Sequence, residues 1–200
     1  MTPRHPIAAL LALLLLFTAG CTILPDREPQ RLFALPASPD LDISGPSVAA
    51  TLRVDSFSAS APHGGNRLLV MPSPDEYEAW SGVRWRDDAS RLLQERLLEG
   101  FRQTGRLKGV VDDASRARSD ATLTGHLTAF YLRLDRGTRH AVVRLDAQLI
   151  DESRRELLTS RRFEATSAAG DATPEAAIKA FGQASDALAE ALIGWVVEAL

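Results

Sequence analysis

The pattern of apolar and polar positions divides the chain into segments of different kinds. Ile7 to Phe17 is unbroken apolar sequence, preceded by Arg4 and followed by the small residues Thr18, Ala19 and Gly20. A charged start, an apolar centre and a small-residue exit form the three parts of a secretory signal peptide. Ile7 to Ala19 falls well short of the roughly 20 apolar residues that cross a bilayer. Thr22 to Ser47 carries prolines 25, 29, 36, 39 and 46 and predicts an extended tether. Within it, Arg31 to Leu35 can pair as a short edge strand.

Past the tether the period changes. Val48 to Phe57 alternates apolar and polar positions, which predicts a first full strand. Ala59 to Asn66 reads as a loop. Arg67 to Met71 and Glu76 to Trp80 predict short strands around Pro72-Ser73-Pro74-Asp75. Ala89, Leu92, Leu93, Leu97 and Phe101 recur at helical spacing and predict a helix over 87–104, with Asp87 or Asp88 as its cap and Gly105 as its stop. Leu107 to Val111 predicts a buried strand running parallel to the first. Ala121 to Leu134, His140 to Asp151 and Glu156 to Thr166 are separated by short breaks and predict an antiparallel meander. A last helix starts at Thr173-Pro174-Glu175 and turns Ala177, Phe181, Ala184, Leu188, Leu192 and Trp195 inward. The expected fold is α/β, a single domain whose mixed sheet contains a three-strand meander and carries two main helices. The expected organisation is a signal peptide over 1–20, a lipidated N-terminus with a proline-rich tether over 21–47, and the folded domain over 48–200.

Charge narrows the partners. The chain has 23 basic and 26 acidic residues. Loss of residues 1–20 removes Arg4 alone, leaving 22 − 26 = −4. No basic block is present, so a nucleic-acid partner is not expected.

Cys21 is the single cysteine, so no internal disulfide can form. Thr18-Ala19-Gly20-Cys21 resembles a bacterial lipobox. The resemblance implies cleavage before Cys21, diacylglycerol on its thiol and an acyl chain on its new amino group. No other cofactor is expected. Two lipid signals already give stable attachment, at about 0.8 kcal/mol per buried CH₂, and three chains exceed that. Thr22 is not the aspartate that retains lipoproteins in the inner membrane. The implied location is therefore the periplasmic side of the outer membrane.

A search for reactive groups assigns no catalytic residue and no metal site. His63 precedes Gly64-Gly65, as in an esterase oxyanion loop, but the Gly-x-Ser-x-Gly elbow is missing, and a flexible loop histidine is the expected role. His126 and His140 show no metal-ligand spacing. Asp87-Asp88 suit a helix cap, and Asp112-Asp113 a solvated turn. Tyr77, Trp80, Arg84 and Trp85 are the candidates for partner contact, because aromatic residues and arginine are enriched at interface centres. For Trp85 the alternative is a staple holding the helix start against the sheet.

The order of these pieces resembles a known family. Gln30-Arg31-Leu32-Phe33-Ala34-Leu35-Pro36, then Arg67-Leu68-Leu69-Val70-Met71, Tyr77, Arg84-Trp85, Leu92-Leu93-Gln94-Glu95-Arg96-Leu97 and Gly105-Arg106-Leu107-Lys108-Gly109-Val110-Val111 resemble the ABC-type transport auxiliary lipoproteins, the PqiC-like group. The terminal helix with Trp195 fits as well. Phe33 stands where tyrosine is common, and Ser81-Gly82-Val83 reads as a plain loop. The resemblance implies a non-enzymatic accessory of an MCE-type lipid transport system that maintains the envelope. Its implied partners are an MCE-domain protein with its permease and ATPase, and a homo-oligomer stays open. Two alternatives remain at this stage: a lipoprotein that activates another periplasmic machine such as cell-wall synthesis, and an envelope hydrolase.

Overall fold

The computed structural model describes residues 29–38, 41 and 45–200. The signal peptide, the lipobox and Cys21 lie outside the described residues. In chain order the strands are β1 (Arg31–Phe33), β2 (Val48–Val54), β3 (Ser58–Ala59), β4 (Arg67–Met71), β5 (Glu78–Trp85), β6 (Leu107–Asp112), β7 (Ala121–Asp135), β8 (Thr138–Asp151) and β9 (Glu156–Ala168). The helices are α1 (Ala89–Thr104), between β5 and β6, and α2 (Pro174–Ala199), after β9.

Strand β7 is the spine of the sheet. It pairs with β8 along its full length, and β8 with β9, giving the predicted antiparallel meander. Its other edge takes three short parallel strands laid end to end. β2 pairs at 121–123, β3 at 126–127 and β4 at 131–133. β6 then adds parallel to β2, while β5 adds antiparallel to β4 and β1 parallel to β5. The mixed sheet and the parallel return strand thus match the sequence expectation. β5 is a correction: Ser81-Gly82-Val83 is strand and not loop.

A bulge between Leu127 and Ala129 shifts the β7–β8 register. One extra residue moves every later side chain to the other face. Accordingly Ala121, Leu123 and Leu127 point to the main core before the bulge, and Phe130 and Leu132 after it. Ala129 and Tyr131 turn to the opposite face, where they pack with Leu69 and Val142.

Both helices cover the main-core face. Thr173 caps α2 through its hydroxyl, which accepts from the Ala176 amide at 3.2 Å. Gly105 ends α1 in the left-handed region at φ 58°, where a side chain would be strained. Asp88 occupies the N-cap of α1 without a side-chain cap bond. Trp85 of β5, Phe130 of β7 and Phe181 of α2 form a ring cluster that joins sheet to helix. Their centroids are 5.4 Å apart for Trp85–Phe130, 5.1 Å for Trp85–Phe181 and 4.8 Å for Phe130–Phe181.

The predicted tether is docked where it can be described. Arg31 pairs with Glu175 at the start of α2. Pro36 lies against Gly182, where an added Cβ would come within 3.0 Å of its ring. Arg96 of α1 forms an ion pair with Asp186 of α2 at 2.9 Å, with side chains 5% and 15% exposed. The same guanidinium donates to the Pro36 carbonyl, and the Ser38 hydroxyl donates to Asp186 at 2.7 Å. Leu41 is buried, and a Cβ on Gly100 would meet both Leu41 and Ile193 at 2.9 Å. The strap therefore follows α2 from its first turn toward its last. The two helical glycines, costly to a helix in isolation, make room for it.

Candidate functional site

The sheet face opposite the helices is where titratable side chains converge. On β7, β8 and β9 the outward residues form a ladder. Arg162 holds both oxygens of Asp146, at 2.6 and 2.7 Å, and Arg144 donates to Glu164 at 2.5 Å. The Arg162 hydrogen bonds hold the Asp146 carboxyl below the usual carboxylate range, assisted by the charges of Arg162, His126 and Arg144. His126 stands opposite Asp146 on the ladder. Its Nδ1 is 2.8 Å from the Ser58 hydroxyl and its Nε2 is 2.8 Å from the Ser60 hydroxyl. Ser58 and Ser60 reach the same ring because alternate residues of an extended segment share a side.

A serine hydroxyl beside an imidazole is the start of a nucleophilic site, but acyl transfer also needs a carboxylate to orient the ring. Here both ring nitrogens meet serines, and both oxygens of Asp146 are held by Arg162. The arrangement is a polar brace between β3, β7 and the meander.

Next to the ladder lies a cluster of three rings. His63 packs against Tyr77 with centroids 5.2 Å apart, and against Tyr131 at 5.8 Å, while Tyr77 and Tyr131 are 5.5 Å apart. His63 is only 4% exposed, which corrects the expectation of a flexible loop histidine. Burial lowers its pKa from the ordinary 6.5, and the Arg144 cation lowers it further. In the unfolded chain His63 takes up its proton near pH 6.5, before the folded protein does. Stability is therefore full above that value and declines as the pH falls below it. Denaturant titrations at about pH 7.5 and about pH 5.5 should show this decline, and His63→Phe should flatten it.

The four candidate contact residues do not form one patch. Trp85 is fully buried in the ring cluster of the core, which removes it from any partner surface and leaves the staple alternative. Trp80 is half-buried against the same core. Tyr77 is 38% exposed and belongs to the opposite face. Arg84 spends its donors inside the chain, on Gln30 at 2.7 Å and on Asn66 at 3.2 Å. His140 stands opposite Arg133, far along the ladder from His126. Asp113 sits in an exposed turn, as expected, and there accepts from Ser56 and from Gln94, which ties the segment after β2 to α1. The serine brace and the Asp146–Arg162 pair were missed in the sequence. Their only signals are the spacing of Ser58 and Ser60 and the pairing register of the meander.

These observations describe an α/β domain with a docked N-terminal strap and a braced polar face. Residues 33–192 match the family described as ABC-type transport auxiliary lipoprotein component. The chain belongs to that family. It is 27% identical over 176 residues to an uncharacterized protein of Bradyrhizobium diazoefficiens, covering 87% of this chain. This chain spans 44% of that relative's length. Among solved structures it is similar to a Xanthomonas campestris protein of the DUF330 family, with a TM-score of 0.78 and 23% identity. That match covers 84% of this chain and 96% of the other. A hypothetical protein of Chlamydia trachomatis shares the fold at a TM-score of 0.52 and 6% identity, over 75% of this chain and 96% of its own.

Proposed function

We propose that this protein is an outer-membrane lipoprotein, held by acyl chains on Cys21, that docks the other subunits of an MCE-type lipid transport system on the periplasmic side. The observation that carries the reading is the family match over residues 33–192. The serine-flanked His126 and the arginine-held Asp146 fit a binding role better than hydrolysis. Anchoring aids such docking by raising effective concentration at one membrane surface.

Affinity capture from detergent-solubilised membranes tests the reading. Wild type should recover an MCE-domain protein with its permease and ATPase, and should incorporate labelled palmitate. Cys21→Ala should lose the label and appear in the soluble fraction. Recovery of a peptidoglycan synthase in place of the transport subunits would favour the cell-wall reading.

A further inference from the structure

The strap sets how the domain stands on its membrane. Were all of residues 22–47 free, the leash from Cys21 to Val48 would be twenty-seven residue steps, with a reach of about 95 Å fully extended. Such a leash would let any face of the domain meet the bilayer. The docked strap removes most of it. Gln30 is already held by Arg84, and Arg31 is fixed to Glu175 in the first turn of α2. Nine residue steps then separate Cys21 from Gln30. They reach at most about 32 Å when fully extended, and about 17 Å as a flexible coil. Helix α2 has 26 residues and is about 39 Å long. The leash is shorter than the helix it joins, and it joins the N-terminal end.

From this geometry we propose that the end of the domain at the N-terminus of α2 faces the lipid headgroups, and that the end at the C-terminus of α2 points away from the bilayer. This orientation rests on the acylation of Cys21 in the reading above. The far end holds Leu200, the C-terminal turn of α1 and the starts of β2 and β6. This follows because α1 runs alongside α2 in the same sense, from Arg96 at Asp186 to Gly100 at Ile193, and Val48 pairs with Leu107 directly after α1. Turning the far end to the membrane would require a stretched leash longer than its own contour. The near end suits the headgroup region. Leu32 on β1 is 65% exposed, the highest value for a large apolar side chain among the described residues, and it sits where the strap begins.

Two single-cysteine labels on full-length acylated protein read the orientation, because acylated Cys21 does not react with a thiol dye. Ala172→Cys lies just before α2, and Ala199→Cys at its last residue. In phosphatidylethanolamine–phosphatidylglycerol vesicles with a headgroup-bound quencher, the dye at 172 should be quenched about twofold or more above the dye at 199, given the roughly 39 Å between them. A variant with a twelve-residue Gly/Ser insertion after Arg27 serves as the long-leash control. Cys21 is then twenty-one residue steps from Gln30, with a reach of about 74 Å, well beyond the length of α2, so the difference between the two labels should shrink. Equal quenching at both sites on vesicle-bound protein overturns the orientation and leaves the anchor reading intact. Failure to bind vesicles at all overturns both. A difference that persists undiminished with the lengthened leash overturns the short leash as its cause.

Discussion

Asp186→Ala is expected to destabilise the domain by about 3 to 5 kcal/mol, the cost of removing one member of a buried ion pair. Arg96 would stay at 5% side-chain exposure with, among the described residues, only the Pro36 carbonyl left to accept from it, and Ser38 would lose its acceptor. For a domain of this size each kcal/mol lowers the melting temperature by about 2 to 4 °C, so a fall of roughly 10 °C is the thermal readout. A second variant separates the charge from the strap. Arg96→Met with Asp186→Leu replaces the pair by apolar side chains of similar bulk, and such replacements are often neutral or stabilising. The double variant should recover most of the lost stability. It should not recover the strap, which has lost its polar attachments to Arg96 and Asp186. Trypsin should therefore cut after Arg31 faster in the double variant than in wild type, at equal global stability. Equal cutting rates would show that β1, the Arg31–Glu175 pair and the packing of Pro36 and Leu41 hold the strap without the Arg96 and Asp186 bonds.

The same residues show where the sequence is readable and where it is not. The meander and α2 are legible because their signals are local. Val143, Leu145, Ala147 and Leu149 alternate without interruption, and Thr173-Pro174-Glu175 carries a cap, a first-turn proline and a first-turn acid. Even the β7 bulge leaves a trace, since the apolar parity of Leu123 and Leu127 switches at Phe130, Leu132 and Leu134. By contrast, Ser81-Gly82 looks like a loop because nothing in those residues favours a strand. They fall in the irregular stretch of β5 between the Leu69–Ala79 and Arg67–Arg84 pairs, with Gly82 at φ 69°, so the strand runs through a bulge that is held by pairing on either side of it and leaves no alternating signal. The strap is hidden for a similar reason. Prolines 36 and 39 speak for an extended conformation, but not for the groove that receives Pro36. That groove exists only when Gly100 and Gly182 are brought to the helix interface. The serine brace on His126 likewise depends on β3, a two-residue strand too short to leave a periodic signal.

Trp85→Ala tests the clearest disagreement between composition and structure. Trp85 lies between Arg84 and Arg86 and near two other aromatics, which is the composition of an interface centre. Composition does not say which way a side chain points. On β5 the indole faces inward, at 0% exposure, edge-on to both Phe130 and Phe181. Its removal is a large-to-small change in the core, expected to cost about 3 to 5 kcal/mol out of a total of about 5 to 15 kcal/mol. A partner-contact residue would lose capture with its melting curve unchanged. The core position predicts the opposite order, with the denaturation midpoint falling first and capture following only as the folded fraction declines. Trp85→Phe sharpens the comparison. The indole Nε1 is buried without a hydrogen-bond partner among the described residues, a burden of about 1 to 3 kcal/mol on the wild type that phenylalanine does not carry. Phenylalanine also keeps an aromatic ring between Phe130 and Phe181, so this variant should lose less than half of what alanine loses. A Trp85→Phe protein that folds like wild type yet fails to recover the transport subunits would return Trp85 to the interface and overturn its place in the core.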